Sequence, residues 1–437
     1  MCDTMCSLGY GRNLEPMTDS EFVESRPVHK KKLYQHAVEE LNGGSAELKH
    51  SFVKIFIKSE KTEALIKDDP IPRIIYPRHP IYNLCLGEYI VPIENKIYSC
   101  IDHIWNEKTV FKGLNASQQG EILWEKWQRF SKPCAFMTDA SRFDQHCSID
   151  ALRFEHGVEK LFYSGMQRSE LHRLLNMQLH TTGFANSSDG YKMRVTHRGG
   201  RCSGDQNTAL GNIIIMTFLM LQFKFDHKYN FSLVNNGDDS VIIGEYEEII
   251  KMQSHITAWF KDYGYTMKVE KSVTVFEEMD FCQTKPIFVD GKPIMCRFPK
   301  AALPKDCMCL ASLSDVQTLD KWRRAVMLGG ISLTGGVPIF QEFYLALGQN
   351  TENKESNSRI GGLDESGFWQ LARGMNRKYE TIKDSTRISF FKAFGIFPYE
   401  QKLMEAIYQN YKYDSTLRPQ GVTSENFEQF IPPYQNE

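Results

Sequence analysis

Residues 231–246, FSLVNNGDDSVIIGEY, constrain the fold more than any other stretch of the chain. Two short apolar runs, 231–234 and 241–243, flank the polar residues Asn235, Asn236, Gly237, Asp238 and Asp239. An Asn-Gly step between β-branched and aromatic runs predicts a hairpin, because its turn needs the positive φ that Asn and Gly tolerate. Asp238 and Asp239 then stand side by side at the tip. Adjacent like charges repel, which raises one pKa unless a cation sits between them. A lone Gly-Asp-Asp describes a solvated turn before it describes a metal site. To be half of a divalent-metal site it needs a third carboxylate from elsewhere in the chain.

A length of 437 residues allows three lobes or one large articulated domain, at the usual ~150 residues per domain. With 41% hydrophobic and 24% charged residues the composition is that of a folded protein, so disorder is not the default. No run reaches the roughly 18 apolar residues of a membrane span; the nearest, 213–221, is broken by Thr217 and reads as a buried helix. The N-terminus lacks the basic-then-apolar pattern of a signal peptide. Eleven cysteines without a CxxC pair suggest reduced thiols rather than a disulfide frame or zinc site. The formal charge of -2 gives no global sign of a nucleic-acid partner. Distribution matters more than the sum: residues 49–78 hold seven Lys or Arg against four Asp or Glu, a stretch that fits phosphate tracking and a solvated charged loop alike.

Taken in order, residues 1–28 show no periodicity and are expected to be a loosely held lead-in. A helix is predicted over 31–41, stopped by Asn42-Gly43-Gly44, and a half-buried strand over 52–58. Pro70, Pro72 and Pro77 then enforce an extended path through basic residues. Residues 80–130 give a mixed signal, with a helix near 121–130. Residues 134–138 read as an apolar strand that delivers Asp139 at its end, with Asp144 five residues on. A carboxylate where a buried strand emerges is fixed yet reachable; Asp144 also suits the first turn of a helix. Helical spacing covers 148–178, and a short strand 191–195 leads into the Gly- and hydroxyl-rich loop 199–208. That loop enters an apolar helix, 209–225, in which Asn212 sits one turn after Thr208. A buried amide needs a partner, so Asn212 must bond to its own core or to a substrate. An amphipathic helix over 247–263, a hairpin at Asp290-Gly291 and helices over 319–328 and 337–347 follow, then an exposed loop over 349–366.

Asp139 at one strand end and Asp238-Asp239 at a hairpin tip make three carboxylates from neighbouring strands. Hard oxygen ligands with open positions suit Mg²⁺ or Mn²⁺ shared with phosphates. Two such ions about 4 Å apart can activate an attacking hydroxyl and neutralise a leaving pyrophosphate. The basic stretch would hold a triphosphate, and Asp144, Ser203, Thr208 and Asn212 would read a sugar.

The ordered motifs DASRFDQH, RCSGDQNTALGN and NNGDDSVII resemble motifs A, B and C of the RNA-dependent RNA polymerases of positive-strand RNA viruses, most closely the tombusvirus and carmovirus group. KSEK with PIPRIIYPRHPIYN resembles the basic motif F of that group, and TVFKGLNA, VFEEMDFCQTKP and SLTGGVPIFQEFY are similar to other segments of it. The resemblance covers roughly residues 30–350. It implies an α+β fold shaped as a closed right hand: N-terminal lead-in and fingers over 1–130, a palm with an antiparallel sheet over 131–285 (fingers insert near 160–200), and a helical thumb with tail over 286–437. By the same resemblance Asp139, Asp238 and Asp239 hold two Mg²⁺ or Mn²⁺ ions, and Asp144 and Asn212 recognise the ribose 2′-hydroxyl with Ser203 and Thr208. Lys58, Lys61 and Arg73 would meet the incoming triphosphate, Lys54, Arg78 and Gly204 the RNA, and Lys271 would protonate pyrophosphate. Implied partners are template and nascent RNA, ribonucleoside triphosphates and a membrane-anchored viral auxiliary protein. The implied location is the host cytoplasm, at membrane-associated replication complexes. Two other readings compete: a reverse transcriptase, which usually has an aromatic residue where Asp144 stands, and a catalytically silent RNA-binding scaffold, against which the complete carboxylate set argues.

Overall fold

The computed structural model describes residues 1–11, 13–58, 72–186, 190–310 and 315–413. The chain forms two compact units of mixed α and β structure. Among the described residues, the first comprises 1–58, 72–112 and 130–272, and the second 113–129 and 273–413.

The strands of the first unit are β1 (Val53–Ile57), β2 (Ile74–Ile75), β3 (Pro133–Ala140), β4 (His180–Asn186), β5 (Lys192–Arg198), β6 (Phe231–Asn236), β7 (Asp239–Glu245) and β8 (Met267–Val269). They make two four-stranded sheets, ordered β2-β1-β4-β5 and β6-β7-β3-β8. The second sheet is antiparallel throughout. Residues 134–138 of β3 and 241–244 of β7 are buried without alternation, as expected where helices cover a sheet. The covering helices are Thr208–His227 and Tyr246–Asp262. The former is apolar on nearly every side and packs into one core with Phe136, Leu233 and Ile242. By length and composition it could cross a membrane, with 56% of its apolar window buried inside the protein.

Two expectations for this unit fail. Residues 1–28 are not a loose lead-in: helices Cys2–Ser7 and Asp19–Ser25 bury Met5 and Phe22, and a Thr18–Glu21 capping box starts the second. Residues 80–105 are one long helix, Pro80–Trp105, begun by the His79 side chain accepting from the Ile81 N–H. Pro92 lies inside it, and its apolar residues surround the axis, so neither a proline-free run nor a one-sided stripe advertises it.

In the second unit β9 (Thr284–Val289) and β10 (Lys292–Arg297) form the hairpin expected around Asp290-Gly291. The Ala116–Trp127 helix crosses them, with Trp124 edge-on to Phe276 and Phe288. The remaining described residues are mostly helical. The predicted stop at Gly329-Gly330 is not one: the helix runs Val316–Thr334, and the Tyr344 ring lies where a Cβ on Gly330 would stand. The next helix begins only at Phe340, after the buried Ile339 with φ 69°. Short 3₁₀ turns over Ile360–Glu365, kinked at Gly361 and Gly362 (φ 64° and 67°), interrupt the expected loop.

Candidate active site

The β6–β7 register pairs Asn236 with Asp239, leaving Gly237 and Asp238 as the two-residue turn. Gly237 carries the positive φ, 94°. The turn thus centres on Gly-Asp, one residue later than the Asn-Gly step suggests. This suits the glycine-first hairpin type, in which a single positive φ matches the strand twist. Asn235, fully buried, braces the turn from within. Its Nδ2 donates to Gly237 O at 2.7 Å and Ser240 Oγ at 2.9 Å, while its Oδ1 accepts from the Gly237 N–H at 3.1 Å. Its backbone pairs on the other side with Thr109 O and the Phe111 N–H, each at 2.9 Å.

β3 pairs with β7 from Pro133↔Glu245 to Thr138↔Ser240, so one further step sets Asp139 level with Asp239. On its other edge Asp139 pairs with Lys268 of β8. The three acids therefore meet at one end of one sheet. Burial, and then Asp239, push the Asp238 carboxyl up to about 6, with Asp144 and Asp139 adding to the shift. A carboxylate raised by three others is a donor set short of positive charge.

Asp144 lies on the short helix Phe143–His146. Asn212 Nδ2 donates to its Oδ1 at 2.9 Å. Asn212 is 8% exposed, and its own Oδ1 is buried with no partner among the described residues. The 199–208 loop is tied to the Asp144 turn through its backbone: the Gly200 N–H donates to Cys147 O and the Arg201 N–H to Asp144 O, both at 2.7 Å. Ser203 is exposed on this loop. Thr208 is turned inward, its hydroxyl set to donate to Cys202 O or Asp205 O, each at 2.9 Å. These bonds close the loop onto the helix.

The basic residues divide. Lys54, Lys58 and Arg73 are exposed, and the β1–β2 pairing brings Lys58 beside Arg73, the Lys58 N–H donating to Arg73 O at 2.8 Å. Lys61 lies outside the described residues. Arg78, expected at RNA, is a correction: its side chain is fully buried against Asp205 and donates to Ser51 O at 2.6 Å and Thr181 Oγ1 at 3.2 Å. It anchors the loop. Gly204, the other expected RNA contact, bridges to Pro77, and a Cβ there would stand 2.6 Å from Pro77 Cα. Close backbone packing accounts for that glycine. Lys271 is exposed, two residues past the end of β8, and the lysine in register with Asp139 is Lys268.

A second acidic group, Glu155, His156 and Glu159, is buried. Arg201 neutralises Glu155, and burial followed by Arg201 pushes His156 down to about 3. With a guanidinium already among them, these side chains do not resemble an open cation site. Sequence reading missed Glu155, Arg201, Asn235 and Lys268. Asn235, beside the Gly-Asp-Asp, and Arg201, at the head of RCSGDQNTALGN, carried a local signal.

The family described as viral RNA dependent RNA polymerase matches residues 4–416. Among curated relatives, the chain is 36% identical over 425 residues to the RNA-directed RNA polymerase of Oat chlorotic stunt virus (isolate United Kingdom), covering 93% of this chain and 56% of the relative. It is 38% identical over 399 residues to that of Tobacco necrosis virus (strain A), covering 91% and 55%. With that of Turnip crinkle virus it shares 34% over 406 residues, covering 91% and 51%. The chain thus spans about half the length of these relatives.

Proposed function

The chain belongs to the viral RNA-dependent RNA polymerases, and from that premise we propose that it copies an RNA template for a positive-strand RNA virus. The reaction is attack of the nascent strand's 3′-hydroxyl on the α-phosphate of a ribonucleoside triphosphate, forming the phosphodiester and breaking the bond to pyrophosphate. The observation that carries this reading is the meeting of Asp139, Asp238 and Asp239 at one sheet end, with the Asp238 carboxyl pushed up by burial and then by its acidic neighbours.

These three residues fit a pair of Mg²⁺ or Mn²⁺ ions, being hard oxygen donors without a balancing cation side chain bonded to Asp238 or Asp139 among the described residues. When bound, such ions activate the attacking hydroxyl and neutralise charge on the leaving pyrophosphate. The protein's own groups do the rest. Asn235 holds the turn so that Asp238 and Asp239 keep their places. Asp144 accepts from a sugar hydroxyl, or Asn212 Oδ1 does, since that buried oxygen lacks a donor among the described residues. Exposed Lys58 and Arg73, with Lys61, supply positive charge for the triphosphate, and exposed Lys54, on β1, meets the template RNA.

In right-hand terms the β6-β7-β3-β8 sheet is the palm, the β2-β1-β4-β5 sheet belongs to the fingers, and the helical C-terminal residues are the thumb. The resemblance to the tombusvirus and carmovirus group supports a membrane-anchored viral auxiliary protein as partner, and hence work at membrane-associated complexes in the host cytoplasm. The test is purified chain with a homopolymeric RNA template, labelled nucleotide and Mg²⁺ or Mn²⁺. Metal-dependent incorporation of the complementary nucleotide only is expected. RNA binding without synthesis, under conditions that support a relative, would point to the scaffold reading.

A further inference from the structure

Beneath the Asp144–Asn212 contact lies an ion pair that bonds to neither side chain. Arg201 and Glu155 have side chains 1% and 0% exposed. The guanidinium forks onto the carboxylate, Nη1 donating to Oε1 at 3.1 Å and Nη2 to Oε2. The pair touches all three segments that shape the sugar site. Through its backbone N–H, Arg201 holds Asp144 O at 2.7 Å. Through Glu155 Oε1 it accepts from Asn207 Nδ2 at 2.9 Å, at the entrance to the Thr208–His227 helix. Asn207 is itself held by Gln178 Nε2, which donates to its Oδ1 at 2.9 Å. Against Gly211 the pair lies so close that a Cβ there would fall on Glu155 Oε1 and 2.6 Å from Arg201 Nη2. Gly211 is the residue before Asn212.

A buried ion pair is weak evidence of stability, because desolvation offsets much of the attraction. Its forked geometry does fix distances, since two parallel bonds allow one relative placement of the groups they join. Here the groups joined are the turn bearing Asp144, the loop bearing Ser203 and the helix bearing Asn212. Resting on the sugar-reading role given above to Asp144 and Asn212, we propose that Arg201 and Glu155 are positioning residues for ribose selection. They set the spacing at which Asp144 and Asn212 tell a ribonucleotide from its deoxy analogue.

Three variants test this: Arg201→Lys, which keeps the charge but loses the fork; Glu155→Asp, which keeps both charges and shortens one arm; and Asn212→Ala as the reference. Each is checked for folding by circular dichroism, and kcat/KM is measured for one ribonucleotide and its deoxy analogue on the same template. An enzyme weakened only in stability loses activity toward both in proportion, so their ratio does not move. The expected result is a ratio lowered about tenfold in whichever of Arg201→Lys and Glu155→Asp folds, on the scale of lost supporting contacts at other sites, with a larger fall in Asn212→Ala. A normal ratio in the folded Arg201 or Glu155 variant, beside a lowered one in Asn212→Ala, overturns the positioning role and leaves the sugar reading standing. A normal ratio in Asn212→Ala overturns the sugar reading, and the positioning role with it.

Discussion

Asn212 reaches across 68 positions of sequence to donate its amide to Asp144 Oδ1 at 2.9 Å, and its other polar atom, the buried Oδ1, is left without a donor among the described residues. Leaving such an oxygen unsatisfied costs about 1–3 kcal/mol. A ligand hydroxyl would repay that cost, and a hydrogen in its place would not.

Substituting Asp144 by Ala therefore lowers discrimination against deoxynucleotides. A site built to bond a hydroxyl can reject the analogue lacking it by up to about 10⁴-fold, so the expected fall is at least about tenfold. Single-nucleotide incorporation with matched ribo- and deoxynucleotides measures it, and an unchanged ratio removes Asp144 from this role.

Asn235→Ala takes the brace out of the hairpin turn. The Gly237 carbonyl, the Gly237 N–H and Ser240 Oγ each lose a partner, which predicts a loss of about 1–3 kcal/mol in chemical denaturation. Incorporation is expected to fall about 10- to 100-fold in the protein that remains folded. A loss of stability with normal incorporation would show that the tip keeps its geometry without Asn235.

Lys268 and Lys271 are separable. Directly paired residues on antiparallel strands project from the same face, so Lys268 shares a face with Asp139, while Lys271 lies beyond the strand. Lys268→Met is predicted to slow incorporation about tenfold or more, as loss of a cation beside the reacting phosphates should. Lys271→Met is predicted to slow it less. Single-turnover rates that rank them the other way would return the role to Lys271.

The Pro80–Trp105 helix contains a carboxyl that makes stability depend on pH. Burial, with Asp19 beside it, pushes Glu88 up to about 9. The folded state then holds a proton that the unfolded state releases near 4.5, so this contribution is full below about pH 4.5 and is lost as pH rises toward 9. Glu88→Gln, a neutral stand-in for the protonated acid, should flatten that loss and melt on the order of 1–2 °C above the parent at pH 8. Identical slopes of melting temperature against pH for the two proteins would contradict the assignment.

The parts legible in sequence were those whose signal is local. Phe231–Glu245 announces a hairpin by composition, and residues 134–138 announce a buried strand whose end must carry Asp139. Asn212 stood out because an amide on an apolar helix demands a partner, and Asp144 is that partner. The turn still shifted by one residue, since Gly237 alone takes the positive φ and Asn236 stays in its strand. What sequence hid depends on packing between distant residues. Arg78 reads as one more cation in a basic loop until Asp205, 127 positions away, is found against it. Gly329 and Gly330 read as a stop, yet they sit mid-helix because aromatic rings of Phe368 and Tyr344 press on them. Glu155 lies in no motif, and although Arg201 heads RCSGDQNTALGN, nothing local says that its partner is Glu155, 46 positions away; only the fold brings them together.

Everything proposed for this protein turns on Asp139 working with a hairpin that lies about a hundred residues further along the chain. Metal-dependent nucleotide incorporation by purified Asp139→Asn, with its melting temperature recorded beside the parent's, tests that most directly. A loss of more than about 100-fold is expected, beyond the usual effect of a supporting residue, with the fold intact. Incorporation at the parent's rate would contradict it.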